Sequence, residues 1–269
     1  MIARINTWLV CIAALGVTAR VASAAEVQTS GQAGTNNDQN AATYYARAFD
    51  AILYPTSQEQ KDTMQTVIHN GWSSDNQNLA GVLDQHKTFF ETFQRGFSLK
   101  QCDFSFGHDP LHKTLPNVVK TRDATYLILL RSRYLEHLGD IKNAMESYLS
   151  LLTFAQHIGQ TKRFVAMMLV EAIEQQAMKP LNEYVSSTTA NAAISRRIAE
   201  AFQAYEEARP PVSQLQEIQN EDRLQQNVEA PGSPFVEEPY KKGEKKYASS
   251  LEQLKQLRAL ASSKSKSGT

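Results

Sequence analysis

The sequence predicts an all-α fold: a helical bundle or a short stack of antiparallel helical hairpins, with about eight helices. Three observations predict it. Apolar residues recur at helical spacing through most of 38–229, as in Leu127, Leu130, Tyr134 and Leu138. Capping residues and Gly/Pro breakers punctuate that pattern at helix-length intervals. No alternating apolar–polar stretch of useful length appears. The apolar share of 42% suits a globular chain and is too high for a disordered one.

The elements follow in order. Residues 1–24 read as a secretory signal peptide: Arg4 gives the positive start, 8–17 the apolar run, and Ala22-Ser23-Ala24 the cleavage site. That run is too short to span a bilayer, which takes about 20 residues. Residues 25–37 are small and polar and read as a flexible lead. Asn37 or Asp38 can cap a helix running to about Leu53, stopped by Pro55. Thr56 and Glu59 form a capping box for a second helix that ends at Gly71. A third covers roughly 76–94, with Leu79, Val82, Leu83, Phe89, Phe90 and Phe93 as its apolar set.

Gly107, Pro110 and Pro116 make 96–116 the longest internal loop, and long loops are disproportionately functional. A helix pair follows, turning at Gly139-Asp140, with Ile141, Ala144, Met145, Tyr148, Leu152 and Ala155 as its second stripe. The helix over 162–184 is apolar around most of its first half and belongs at the centre, with Pro180 expected to disturb its last turn. Two more helices, over 190–208 and 212–228, are separated by Pro210-Pro211. Residues 230–243 read as a Pro/Gly linker. The region 244–269 reads as a basic C-terminal helix and tail carrying Tyr247, Leu251, Leu254 and Leu257.

Charge excludes one function class. The full chain has 28 basic and 28 acidic residues, and removing Arg4 and Arg20 with the signal leaves 26 against 28. A dedicated nucleic-acid binder would carry a basic excess. Locally the balance is uneven: 240–269 holds eight basic and two acidic residues, while 217–238 holds six acidic and one basic. The terminal helix therefore either docks on an anionic surface or partner, or folds back on its acidic neighbour. With Cys11 in the signal, Cys102 is the one cysteine of the mature chain and is expected to be buried rather than nucleophilic.

Candidate chemistry is sparse. His108, Asp109 and His112 lie in the long loop with Asp103 nearby, a ligand set for a transition metal or simply a polar loop. Glu171 and Glu174 lie three apart on the central helix. Paired carboxylates serve acid/base or di-metal chemistry, but no His stands three residues after a Glu, so the di-iron bundle signature is missing. A structural ion pair is expected instead, Glu171 with Arg131, Arg133 or Arg163. Nucleophile and phosphate-loop motifs are absent, and no catalytic, cofactor or metal residue is assigned.

Arg133-Tyr-Leu-Glu-His-Leu-Gly-Asp-Ile-Lys-Asn-Ala-Met-Glu-Ser-Tyr-Leu-Ser-Leu-Leu152 resembles one tetratricopeptide-type hairpin, within 121–158, with Ala144 where two helices must touch closely. More broadly, the order Asn-Ala-Ala-x-Tyr-Tyr from Asn40, Cys102-Asp103-Phe104, Gly139-Asp140, Glu171, Pro210-Pro211 and Glu221 is similar to a group of exported helical proteins of environmental bacteria without an assigned activity. That resemblance implies an all-helical fold and export to the periplasm or beyond. The function expected is non-enzymatic: an exported helical protein that binds a partner, such as another envelope protein. The alternative is a metal- or ligand-binding protein or enzyme using the 100–116 loop.

Overall fold

The computed structural model describes residues 37–53, 57–104, 116–210 and 234–267, with Gln214, Glu217, Ile218 and Asn220 between the last two stretches. The signal segment, nearly all of the N-terminal lead, most of the expected 212–228 helix and the centre of the 96–116 loop lie outside the described residues. Among the described residues the chain is all-α. Nine helices run in order: α1 (Ala41–Asp50), α2 (Gln58–Asn70), α3 (Asn78–Gln85), α4 (Lys87–Phe97), α5 (Val118–His137), α6 (Ile141–Gly159), α7 (Phe164–Ser186), α8 (Ala192–Ala208) and α9 (Pro234–Ser267). None of them is long and apolar enough to cross a membrane.

Local chemistry sets the boundaries. Asn40 caps α1 by accepting from the Ala42 N–H at 3.1 Å. The cap of α2 is Ser57, not Thr56; its hydroxyl accepts from Gln60 at 3.1 Å. The α5–α6 turn needs only Leu138, Gly139 and Asp140. Gly139 takes φ +77°, and Asp140 N–H reaches back to the Leu135 carbonyl at 2.9 Å, while Gly139 N–H reaches Glu136. This is a Schellman stop. Asp140 then caps α6, its carboxylate accepting from the Asn143 side chain at 2.8 Å.

One expectation changes. The helix expected over 76–94 is two helices that meet at His86. The His86 ring is 2% exposed and bonds the Val82 carbonyl at 2.7 Å, while its Nε2 lies 3.0 Å from the Leu53 N–H. The ring thereby fastens the chain just beyond α1 to the α3–α4 junction. Pro180 lies buried inside α7, which continues to Ser186. The proline removes one donor, leaving the Gln176 carbonyl without its intrahelical partner.

The helices pack in two groups around the α5–α6 hairpin. On one side α1 pairs with α4, and α2 and α3 lie on α5. Their shared core is aromatic: Tyr45 stands 4.8 Å from Phe93 and 4.9 Å from Phe154, ring centre to ring centre. On the other side α6 packs against both α7 and α8, and α9 lies on both α7 and α8. Ala144 is fully buried on α6.

The last helix begins at Pro234, inside the stretch expected as a linker, rather than at Glu244. Gly243 is therefore a packing residue. A Cβ there would meet Phe164 Cζ at 2.7 Å and Cε2 at 3.0 Å. Tyr247, Leu254, Leu257 and Ala261 are buried on the same helix. Gly81 makes the contrast: it lies in α3 with nothing within 4 Å of an added Cβ.

Gly243→Ala is expected to destabilise the protein by about 1–3 kcal/mol through overpacking. Gly81→Ala is expected to stabilise it by about 0.5–1 kcal/mol through helix propensity. Thermal unfolding of the two variants checks both signs; a fall in midpoint for Gly81→Ala or none for Gly243→Ala contradicts this packing.

Candidate functional site

A groove of about 910 Å³ opens between α4, α5, α6 and α8. It exists because α4 belongs to the first group of helices and α8 to the second, so the two stand apart across α5 and α6. Its apolar lining includes Phe93, Phe97, Ile128, Leu149 and Leu152. Its volume falls in the range of small-ligand pockets, but it is open along its length. A second hollow of about 340 Å³ lies between α6 and α8, lined by Met145, Leu149, Ile194 and Ile198. Arg197 and Glu146 line both hollows and bridge α8 to α6 through two contacts, at 2.9 and 3.1 Å.

Four charged side chains line the main groove: Arg131, Asp140, Glu146 and Arg197. Three are committed. Asp140 caps α6, and Glu146 and Arg197 hold each other. Arg131 is different. Its guanidinium lies 4.8 Å above the Phe90 ring, and no carboxylate or carbonyl among the described residues accepts from it. Partial burial pulls its pKa below the ordinary arginine value. Three uncharged lining residues, Gln94, Thr153 and Gln156, also have side chains with no hydrogen-bond partner among the described residues.

The other wall of the groove rests on a buried polar centre. Glu174 is fully buried on α7. Its carboxylate accepts from the Tyr205 hydroxyl at 2.5 Å, the Ser250 hydroxyl at 2.5 Å and Arg209 Nη2 at 2.9 Å. These donors come from α8, α9 and the residue just beyond α8. Arg209 also lies 3.7 Å over the Tyr247 ring, and Tyr247 donates to the Pro210 carbonyl at 2.8 Å. Burial pushes the Glu174 carboxyl upward, while Arg209, Ser250 and Tyr205 pull it down. Tyr205 both lines the groove and donates to Glu174.

The carboxylate pair of the sequence thus divides. Glu174 takes the ion pair. Glu171 accepts from Gln175 on its own helix, and Lys246 and Arg209 are the cations that act to lower its pKa. Of the expected partners, Arg131 faces the groove, and Arg133 holds Glu136 at 2.9 Å and the Ile68 carbonyl at 3.2 Å. Burial, with a smaller contribution from Glu174, raises the Glu171 pKa.

His108, Asp109 and His112 lie outside the described residues. Among the described residues no group of three or more His, Cys, Asp or Glu is placed to hold a metal ion. The start of that loop is pinned. Asn40 donates to the Asp103 carbonyl at 2.8 Å and accepts its N–H at 2.9 Å. Gln160 does the same for the Lys100 carbonyl and the Cys102 N–H. Cys102 is buried, and burial together with Asp103 pushes its thiol pKa well up, so the thiolate is scarce near neutral pH. The Tyr45 hydroxyl lies 2.6 Å from His157 Nδ1 in the aromatic core.

Sequence reading missed Arg131 as a site residue, and missed Arg209, His86 and His157. Arg209 carried one signal: it directly precedes Pro210-Pro211, where the chain must leave α8 with a fixed geometry. No family model, curated protein or solved structure matches the chain.

His157 yields a pH dependence. Burial lowers its pKa to about 4, opposed by a hydrogen bond to the Leu99 backbone. The unfolded ring, ordinarily near 6.5, takes up its proton first, so stability falls as pH drops through that window. The expected loss is about 2 kcal/mol between pH 7 and pH 5. Urea unfolding at both pH values checks it, and His157→Gln should flatten the slope. An equal slope in wild type and variant contradicts the assignment.

Proposed function

We propose that this chain is a non-enzymatic binding protein of the bacterial cell envelope, exported by its signal segment, whose groove receives a segment of a partner protein. The observation that carries the reading is Arg131: a half-buried cation in an open, apolar-floored groove whose other charges are all committed. A buried or half-buried charge without a partner is costly, and a ligand removes that cost. The tetratricopeptide-like hairpin supports the same reading, because such helical stacks present concave surfaces for binding.

The basic terminal helix contributes less to this reading. Its apolar stripe of Tyr247, Leu254, Leu257 and Ala261 is spent against α7 and α8. Arg258 is likewise bound to Glu206 at 3.0 Å. Lys242, Lys245 and Lys255 are exposed, and a peripheral contact through these charges is screened within about 10 Å at 0.1 M salt.

The test is site-specific photo-crosslinking in the native envelope, with the photoreactive residue at Thr153 or Gln156 in the groove, or at exposed Lys61 on α2. The reading expects the two groove positions to form an adduct with the same protein and Lys61 to form none. Equal yields at all three positions, or none at any, contradict it.

A further inference from the structure

We infer that the occupant of the groove is an extended acidic peptide segment, with an Asp or Glu side chain seated on Arg131. The inference rests on the groove being the binding surface and adds the chemistry of what binds there.

Charge selects the residue. Asp140 is engaged at the α6 cap and Glu146 with Arg197, so the charge the groove has to offer is one positive. The Phe90 ring covers one face of the Arg131 guanidinium. Stacking leaves the in-plane N–H donors available, and these match a carboxylate bidentately. Partial burial strengthens such a contact relative to one in bulk water. One guanidinium is a poor footprint for a polyanion such as nucleic acid, which calls for a basic stripe.

Shape and polar chemistry select the extended backbone. The groove follows α6 from Asn143 to Gln156, about 20 Å at the helical rise. That is room for about six residues of extended chain. Ser132 on α5 donates to Ser147 on α6 at 2.8 Å, which sets Arg131 level with the middle of α6. Thr153 and Gln156 lie further along α6, about 10 Å away by helical rise, or about three extended residues. Gln94 lines the same groove from α4. Two amides and a hydroxyl without partners complement the open N–H and C=O groups of a strand-like peptide. A bound helix has already satisfied its own backbone and would leave them unmatched. A small free carboxylate would reach Arg131 but not Thr153 and Gln156.

The experiment uses two matched libraries of acetylated, amidated decapeptides. One has Glu fixed at its fifth position and the other Gln, with the remaining positions randomised among uncharged residues. Immobilised mature protein retains peptides, which are counted by mass spectrometry. The expected result is retention of the Glu library at least about tenfold above the Gln library, the scale of one charge-assisted contact. Arg131→Met, which keeps an apolar stem over Phe90, should abolish the preference, and Arg131→Lys should restore part of it. Thr153→Ala with Gln156→Ala should weaken retention of Glu peptides without changing the preference. Equal retention of the two libraries, or a preference that survives Arg131→Met, overturns the inference while the crosslinking result still decides the groove reading. Competition by free glutarate as effective as by a retained Glu peptide overturns the extended occupant. Retention of neither library overturns the inference and removes the chemical basis of the groove reading with it.

Discussion

The buried Glu174 carboxylate holds the second half of the molecule together. One side chain on α7 collects donors from Tyr205 on α8, Ser250 on α9 and Arg209 at the end of α8. Desolvating a carboxylate and a guanidinium together is expensive, and an apolar replacement of the same shape is often no less stable. What the polar centre adds is registry. Arg209 must lie over Tyr247 and against Glu174 at once, which fixes where α9 crosses α7 and α8. Gly243, which lets α9 close on Phe164, belongs to the same crossing.

The groove inherits its shape from this registry. Tyr205 is shared between the groove and Glu174, and α8 also carries Arg197, which spans to Glu146 on α6. The opposite wall, α4, is set separately by the aromatic core of Tyr45, Phe93 and Phe154 and by the His86 ring that ties α3 and α4 to Leu53. Two groups of helices therefore flank one hairpin, and the space between them is where the described residues leave α5 and α6 uncovered. Arg131 lines that space from the same face of α5 as Ile128 and Leu135, while Leu129 and Leu130 are buried.

Much of the fold was legible in the sequence. The Gly139-Asp140 turn is a short-range code: a glycine at positive φ and an aspartate that caps the next helix suffice to specify it. The stripes of α5, α6 and α9 were equally plain, since each repeats at helical spacing. The boundaries that failed depend on partners far away in sequence. His86 interrupts one periodic stretch because its ring bonds Leu53, and nothing local announces that. Gly243 and the prolines of 231–239 look like a linker to any local rule; Gly243 is explained only by Phe164 lying opposite it. The site followed the same division. A Glu pair on the central helix was visible, but which member is paired depends on Arg209, 35 residues on. The groove is a relation among four helices, and Arg131 becomes conspicuous only when every other charge around it is accounted for.

The central claim is that Glu174 couples α8 and α9 into one unit, and so holds the groove wall. Native-state hydrogen exchange of the Glu174→Gln variant tests it most directly. The change keeps the size of the side chain and removes its charge opposite Arg209. The account predicts that amides of α8 and α9 lose protection together, by tenfold or more, while those of α1 and α4 keep their wild-type pattern relative to global unfolding. Loss confined to α9, with α8 unchanged, would mean that the groove wall stands without the polar centre and would contradict the account.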